Sequence, residues 1–164
     1  MILERFEAPL KQCGVIKIIP YTLEHFEHLT VRPHEVGIKE AVQLSDTQWA
    51  KAIKKEAVEA YTGFIDDKIF AIGGLNVLWE HVGEVWVIGS PMIPAYRFSY
   101  MKIMKFYLKY FMEKYKLKRT QAQVIKDHAM LHRFVKRLGF VYEGTLHNYC
   151  GGNLDNCMYA MWEK

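Results

Sequence analysis

The stretch that decides the fold is KDHAMLHRFVKRLGFVYEGTLHNY, residues 126–149. Leu131, Phe134, Val135 and Leu138 recur at the i, i+3, i+4, i+7 spacing of one helix face, with Arg133, Lys136 and Arg137 on the other. The spacing predicts a helix from His128 to Leu138. Gly139 ends it, because glycine takes the left-handed position after a helix C-terminus without strain. FVYEGTLHNY, 140–149, then has the apolar and aromatic composition of a strand. Leu138 and Phe140 are placed to lock the helix onto a sheet, an architectural job that carries no chemistry.

Working outward, TQAQVI at 120–125 reads as a strand, and Phe98 to Tyr115 as the longest helix. Its expected buried face is Met101, Met104, Leu108, Phe111, Met112 and Tyr115. GEVWVIG, 83–89, has the near-continuous apolar run of a central strand. YTGFI and IFAIGGL flank the polar turn DDK as a hairpin. SDTQWAKAIKKEAVEA, 45–60, reads as a helix opened by a Ser45–Gln48 capping box, with Trp49, Ala52, Ile53, Ala57 and Ala60 on one face. YTLEHFEHL, 21–29, and HEVGIKEA, 34–41, are shorter helices, VIKII at 15–19 is a first strand, and NCMYAMW, 156–162, completes a final hairpin. The order predicts an α/β domain over 15–164: a mixed, partly parallel central sheet with helices on both faces. Two strand–helix–strand crossovers imply locally parallel strands. An arm of residues 1–14 precedes the domain, and its Ile2, Leu3, Phe6 and Leu10 suit docking on a partner, a second copy or its own domain.

At 164 residues the chain can bury a core without disulfides or metal. The net charge of +4 is mild and reads against nucleic acid as a partner. Lys102, Lys105, Lys109 and Lys116 form a stripe, joined by Lys118 and Arg119, and Arg133, Lys136 and Arg137 a second patch. Both read as solvated helix faces. Cys13, Cys150 and Cys157 form no CxxC pair and no metal-ligand spacing, so free thiols and no metal are expected. Glu4, Arg5 and Glu7 interrupt any leader-like apolar run, and no window reaches membrane-span length. A soluble, cytoplasmic protein is expected.

The element order, together with Lys136, Arg137, Leu138, Gly139, Phe140, Glu143 and Gly144, and with DNCMYAM at 155–161, resembles the GNAT family of acyl-CoA-dependent N-acyltransferases. The resemblance implies acetyl-CoA as cofactor and a primary amine as acceptor. It places the pantetheine arm along the backbone of Val87 and Ile88, and the pyrophosphate near Arg97, Phe98, Ser99 and Tyr100. His128 stands where the family often opens the last helix with asparagine. Glu84 would be the general base. Val135 stands where many members carry a tyrosine general acid, which leaves Tyr142 and Tyr149 as candidates for that role.

One segment departs from the family. There the central strand is followed by a glycine-rich loop whose N–H groups, with the next helix N-terminus, cradle the pyrophosphate. Here the loop is GSPMIPAYRFSY, 89–100, with no glycine after Gly89. Pro91 and Pro94 each remove a donor, and Met92, Ile93, Tyr96 and Phe98 add bulk. The expectation is a degenerate site from which acetyl-CoA binding has been lost, or one rebuilt on Arg97 and Ser99. A looser likeness, on IKIIPYTLEHFEHL, IFAIGG, EVWVI with Trp86, FMEKY and Leu-Gly-Phe, is to the GNAT-like internal virion proteins of short-tailed bacteriophages. It implies a phage-encoded protein of the host cytoplasm, packaged in the particle, with other virion proteins or itself as partner. EGTLHNY and DNCMYAM keep the alternative, an active N-acetyltransferase.

Overall fold

Alternating and β-branched runs pair into one seven-stranded sheet in the computed structural model, which describes residues 16–163. The elements, in chain order, are β1 (Ile16–Pro20), α1 (Leu23–Glu27), α2 (Pro33–Val42), α3 (Asp46–Glu56), β2 (Glu59–Ile65), β3 (Lys68–Trp79) and β4 (Val82–Gly89). A 3-10 turn (Ile93–Tyr96) leads into α4 (Arg97–Lys114), followed by β5 (Arg119–Ile125), α5 (Ala129–Leu138), β6 (Val141–Cys150) and β7 (Leu154–Trp162). The strand order is β1-β2-β3-β4-β5-β7-β6, and every neighbouring pair is antiparallel except β4 with β5. The expected arm, 1–14, and Cys13 lie outside the described residues.

Helices cover both faces, as the sequence predicts. On one, α4 and α5 bring Leu108, Phe134 and Val135 against Val85, Ala122, Val124 and Tyr159. On the other, α1 and α3 bring Phe26, Ala50 and Ile53 against Ile72, Trp86 and Ile88. Gly139 sits at φ 105°, its N–H bonded to the Lys136 and Val135 carbonyls, so the left-handed stop is the one read from the sequence. α2 lies apart from both layers. It starts against the end of β4 and ends against the β6–β7 turn, where a side chain on Gly151 (φ 61°) would run into the Ala41 carbonyl.

Three expectations are corrected. The helix expected over 45–60 stops at Glu56, because Glu59 and Ala60 pair with Leu75 and Gly74 of β3; Ala57 and Ala60 therefore share no helix face. The long helix buries Ser99, Tyr100, Ile103, Leu108 and Phe111, a stripe rotated from the expected one, and Met101, Met112 and Tyr115 are only half-buried. Of the two crossovers, only β4–α4–β5 joins neighbours; β7 inserts between β5 and β6.

Cys150 and Cys157 are free and buried. Among the described residues no three His, Cys, Asp or Glu gather as a metal site, and no helix is long and apolar enough to cross a membrane.

Candidate functional site

β4 and β5, the parallel neighbours of the sheet, part early. They pair at Val82/Arg119, Gly83/Thr120 and Glu84/Gln121 and nowhere beyond. Val85–Gly89 and Ala122–Ile125 then diverge, leaving a wedge. A cavity of about 420 Å³ fills it and runs through the sheet, touching Met104, Leu108 and Phe134 on one face and His34, Trp49 and Trp86 on the other.

Glu84 stands at the narrow end. Its Oε2 accepts from Gln121 Nε2 and Gln123 Nε2, each at 3.0 Å. Gln123 Nε2 also donates to the Tyr149 hydroxyl at 3.0 Å, and its Oε1 accepts from Asn156 Nδ2 at 3.3 Å. Asn156 Oδ1 is buried against the cavity with no partner among the described residues. Alternation explains the cluster: Thr120, Ala122 and Val124 are buried, so Gln121 and Gln123 face the other side, where Glu84 lies. Two amides on a central strand are unusual enough to have flagged this site in the sequence.

The wide end is finished differently. Gly89 N–H donates to Glu35 Oε1 at 2.8 Å, and Ser90 N–H to the Phe70 carbonyl at 2.9 Å. Met92 N–H reaches Ser90 Oγ (3.3 Å), Ile93 N–H the Ser90 carbonyl (3.2 Å) and Ala95 N–H the Met92 carbonyl (3.1 Å). Pro91 and Pro94 have no N–H. Every donor from 89 to 95 is accounted for. Glu35, 3% exposed, also takes Arg32 Nη2 at 2.6 Å and the Arg32 N–H at 3.1 Å. A Cβ at Gly89 would run into Ile93 Cδ1 and press on the Arg32 guanidinium. Arg32 Nε is buried without a partner among the described residues.

His34, next to this pair, meets the His128 ring edge-on at 4.3 Å and so joins α2 to α5. Burial, then the neighbouring Arg32 and His128, push the His34 imidazole down to about 4. His128 caps α5, its Nδ1 accepting the Leu131 N–H at 3.4 Å.

Of the residues singled out in the sequence, Glu84 and Tyr149 come together through Gln123. Tyr142 is on the opposite face, paired with Tyr159 and bonded to Thr145 Oγ1 at 2.8 Å. Val87 and Ile88 line the wedge, and no residue of β5 pairs with them. Ser99 and Tyr100 are core: Tyr100 stacks on Phe134 at 5.0 Å and meets Phe70 edge-on at 5.6 Å, and burial pushes its hydroxyl far up. Arg97 lies over the exposed Phe98 ring at 4.9 Å. The sequence reading missed Gln121, Gln123, Arg32 and Glu35.

No family model and no curated protein matches the sequence. Among solved structures, the chain is similar to an acetyltransferase of the GNAT family from Bacillus anthracis: TM-score 0.65, 15% identity, 90% of this chain and 94% of that one. An N-acetyltransferase from Staphylococcus aureus Mu50 gives 0.66 at 12% identity, over 90% and 98%. A mutant spermidine N-acetyltransferase from Vibrio cholerae gives 0.66 at 12%, over 89% and 94%. The fold is the GNAT fold.

Proposed function

We propose that this GNAT-fold protein works by binding rather than by acyl transfer, as an interaction protein. The observation that carries this reading is the loop at 89–95, in which no N–H is left for a pyrophosphate and the buried Glu35 carboxylate already takes the first of them. A backbone cradle holds an anion only through donors that nothing else satisfies. The looser likeness to phage internal proteins supports a virion-associated role, with other particle proteins or a second copy as partner and the host cytoplasm as the place of synthesis. Calorimetric titration with acetyl-CoA, and with CoA as control, tests the reading. No heat of binding up to ~1 mM ligand is expected, and a dissociation constant in the micromolar range would overturn it.

One observation favours a second reading, an acetyl-CoA-dependent N-acetyltransferase acting on a primary amine. Glu84 is held by two amides at the closed end of an open wedge, where a carboxylate can take the proton lost by an attacking amine. In that reading Arg32 and Arg97 hold the phosphates in place of the loop. Acetyl-CoA-dependent release of free CoA with a panel of amines, lost in Glu84→Gln, would establish it.

A further inference from the structure

The net charge of +4 conceals a strong asymmetry. Residues 97–139 carry twelve lysines and arginines against two acids, a net +10, while the rest of the chain carries ten against sixteen, a net −6. The fold gathers the positive part, because α4 and α5 pack side by side on one face of the sheet. Lys102 and Lys105 are exposed on α4, Lys116 and Lys118 on the turn into β5, and Arg133, Lys136 and Arg137 on α5. None of these seven has an acidic partner among the described residues. The ion pairs of this stretch take other cations: Lys109 with Glu113, Lys114 with Glu59, Arg119 with Glu143 and Lys126 with Asp155.

Between the C-terminal half of α4, the end of α5 and the end of β7 lies a groove of about 700 Å³. Lys105, Lys109, Lys116 and Lys118 stand around it, Glu113 and Glu163 are its acids, and Leu138 and Met161 are among its apolar lining. It sits at the C-terminal end of α4, roughly 20 Å along that helix from the loop at 89–95, so it is separate from the wedge mouth.

We propose that this face binds the phosphate backbone of a nucleic acid duplex without regard to sequence. Cations without partners around a groove offer what a regularly spaced polyanion needs, and their counterion exchange would drive the association. The arrangement fits a duplex better than a single strand, because the aromatics among the α4 lysines, Phe106 and Tyr110, are half-buried and stacked on each other instead of standing open as a platform for bases. It fits a duplex better than an anionic membrane for a related reason. The exposed apolar side chains of α4 and α5, Phe98 and Met130, stand at the helix N-termini, at the far end of α4 and α5 from the groove lysines Lys105, Lys109, Lys116 and Lys118. The inference is independent of whether acyl-CoA binds in the wedge.

The test is fluorescence anisotropy of a labelled 20-base-pair duplex of arbitrary sequence, titrated with the full chain between 50 and 200 mM salt. Binding is expected at low salt, with log K falling against log salt at a slope of about −4 to −6. The variant Lys105→Gln, Lys116→Gln, Lys118→Gln, Lys136→Gln should flatten that slope by about 3 to 4 and weaken binding at least tenfold at low salt. A control with the same loss of charge elsewhere, Lys51→Gln, Lys54→Gln, Lys55→Gln, Lys68→Gln, should keep most of the slope. All eight lysines are exposed, so both variants should keep the parent's melting temperature, which is checked first. Three results would overturn the proposal: no retention of duplex at 50 mM salt, an equal loss in the control, or preferential uptake by phosphatidylserine vesicles that duplex does not displace.

Discussion

At the narrow end of the β4/β5 wedge a carboxylate, Glu84, is held by two glutamine amides beside a cavity. At the wide end every N–H from 89 to 95 is bonded to the protein's own oxygens. The contrast separates two ways of building a polar site. A backbone cradle is useful only while its donors are unsatisfied, and each buried unsatisfied donor costs about 1–3 kcal/mol. A side-chain network satisfies most of its own groups, ligand or no ligand, with Asn156 Oδ1 the exception among the described residues here. The first is costly to keep when unused, whereas the second persists.

The largest test of this contrast is Glu35→Ala. It strands the largely buried Arg32 charge and should cost about 3 kcal/mol in chemical denaturation. It also frees the Gly89 N–H, so a gain of acetyl-CoA affinity in the folded variant would show that Glu35 alone closes the cradle. A smaller effect comes from pH. His34 is held neutral when folded, with its imidazole at about 4 against an ordinary 6.5. Below 6.5 the unfolded chain therefore binds the extra proton, and stability at this site should fall between pH 6.5 and 4 and level off below. Denaturation midpoints at pH 7, 5.5 and 4.5 check this, and His34→Gln should flatten the decline.

Ser90→Ala removes the acceptor of the Met92 N–H and should cost about 1 kcal/mol by the same denaturation. At the other end, Glu84→Gln should change stability by less than about 1 kcal/mol, because a carbonyl oxygen still accepts from both glutamines. A loss several times larger would mean that the network depends on the charge. Tyr149→Phe, at an exposed position, should move the melting temperature least of all, by an amount equivalent to about 0.5 kcal/mol or less.

Much of the fold was legible because its signals are local. The helix ending at Gly139, the Ser45 cap and the central run at 83–89 all depend on neighbours within a few residues. The end of α3 was not, since the apolar spacing continues through Ala57 and Ala60 while pairing with β3 claims that segment for β2. The poverty of the loop in free donors could be read from Pro91, Pro94 and the missing glycines. That Glu35, 54 residues upstream, supplies the acceptor for Gly89 could not, because it is a tertiary contact. Arg32-Pro33-His34-Glu35 does carry the pattern of a helix start, the same feature that aims Glu35 back at its own N-terminus. The charge asymmetry was present in the sequence from the start, hidden by summing over the whole chain.

The three residue pairs that join β4 to β5 also divide the molecule mechanically. β1 to β4 are zipped along their lengths, and so are β5, β7 and β6. Between the two leaves, α4 acts as a bolt across a short hinge, with Leu108 set into the second leaf and Tyr100 and Ile103 into the first. In native-state hydrogen exchange the leaves should open as separate cooperative units. Pulled apart in an optical trap from attachment points on β1 and β6, the molecule should yield in two steps, the hinge first.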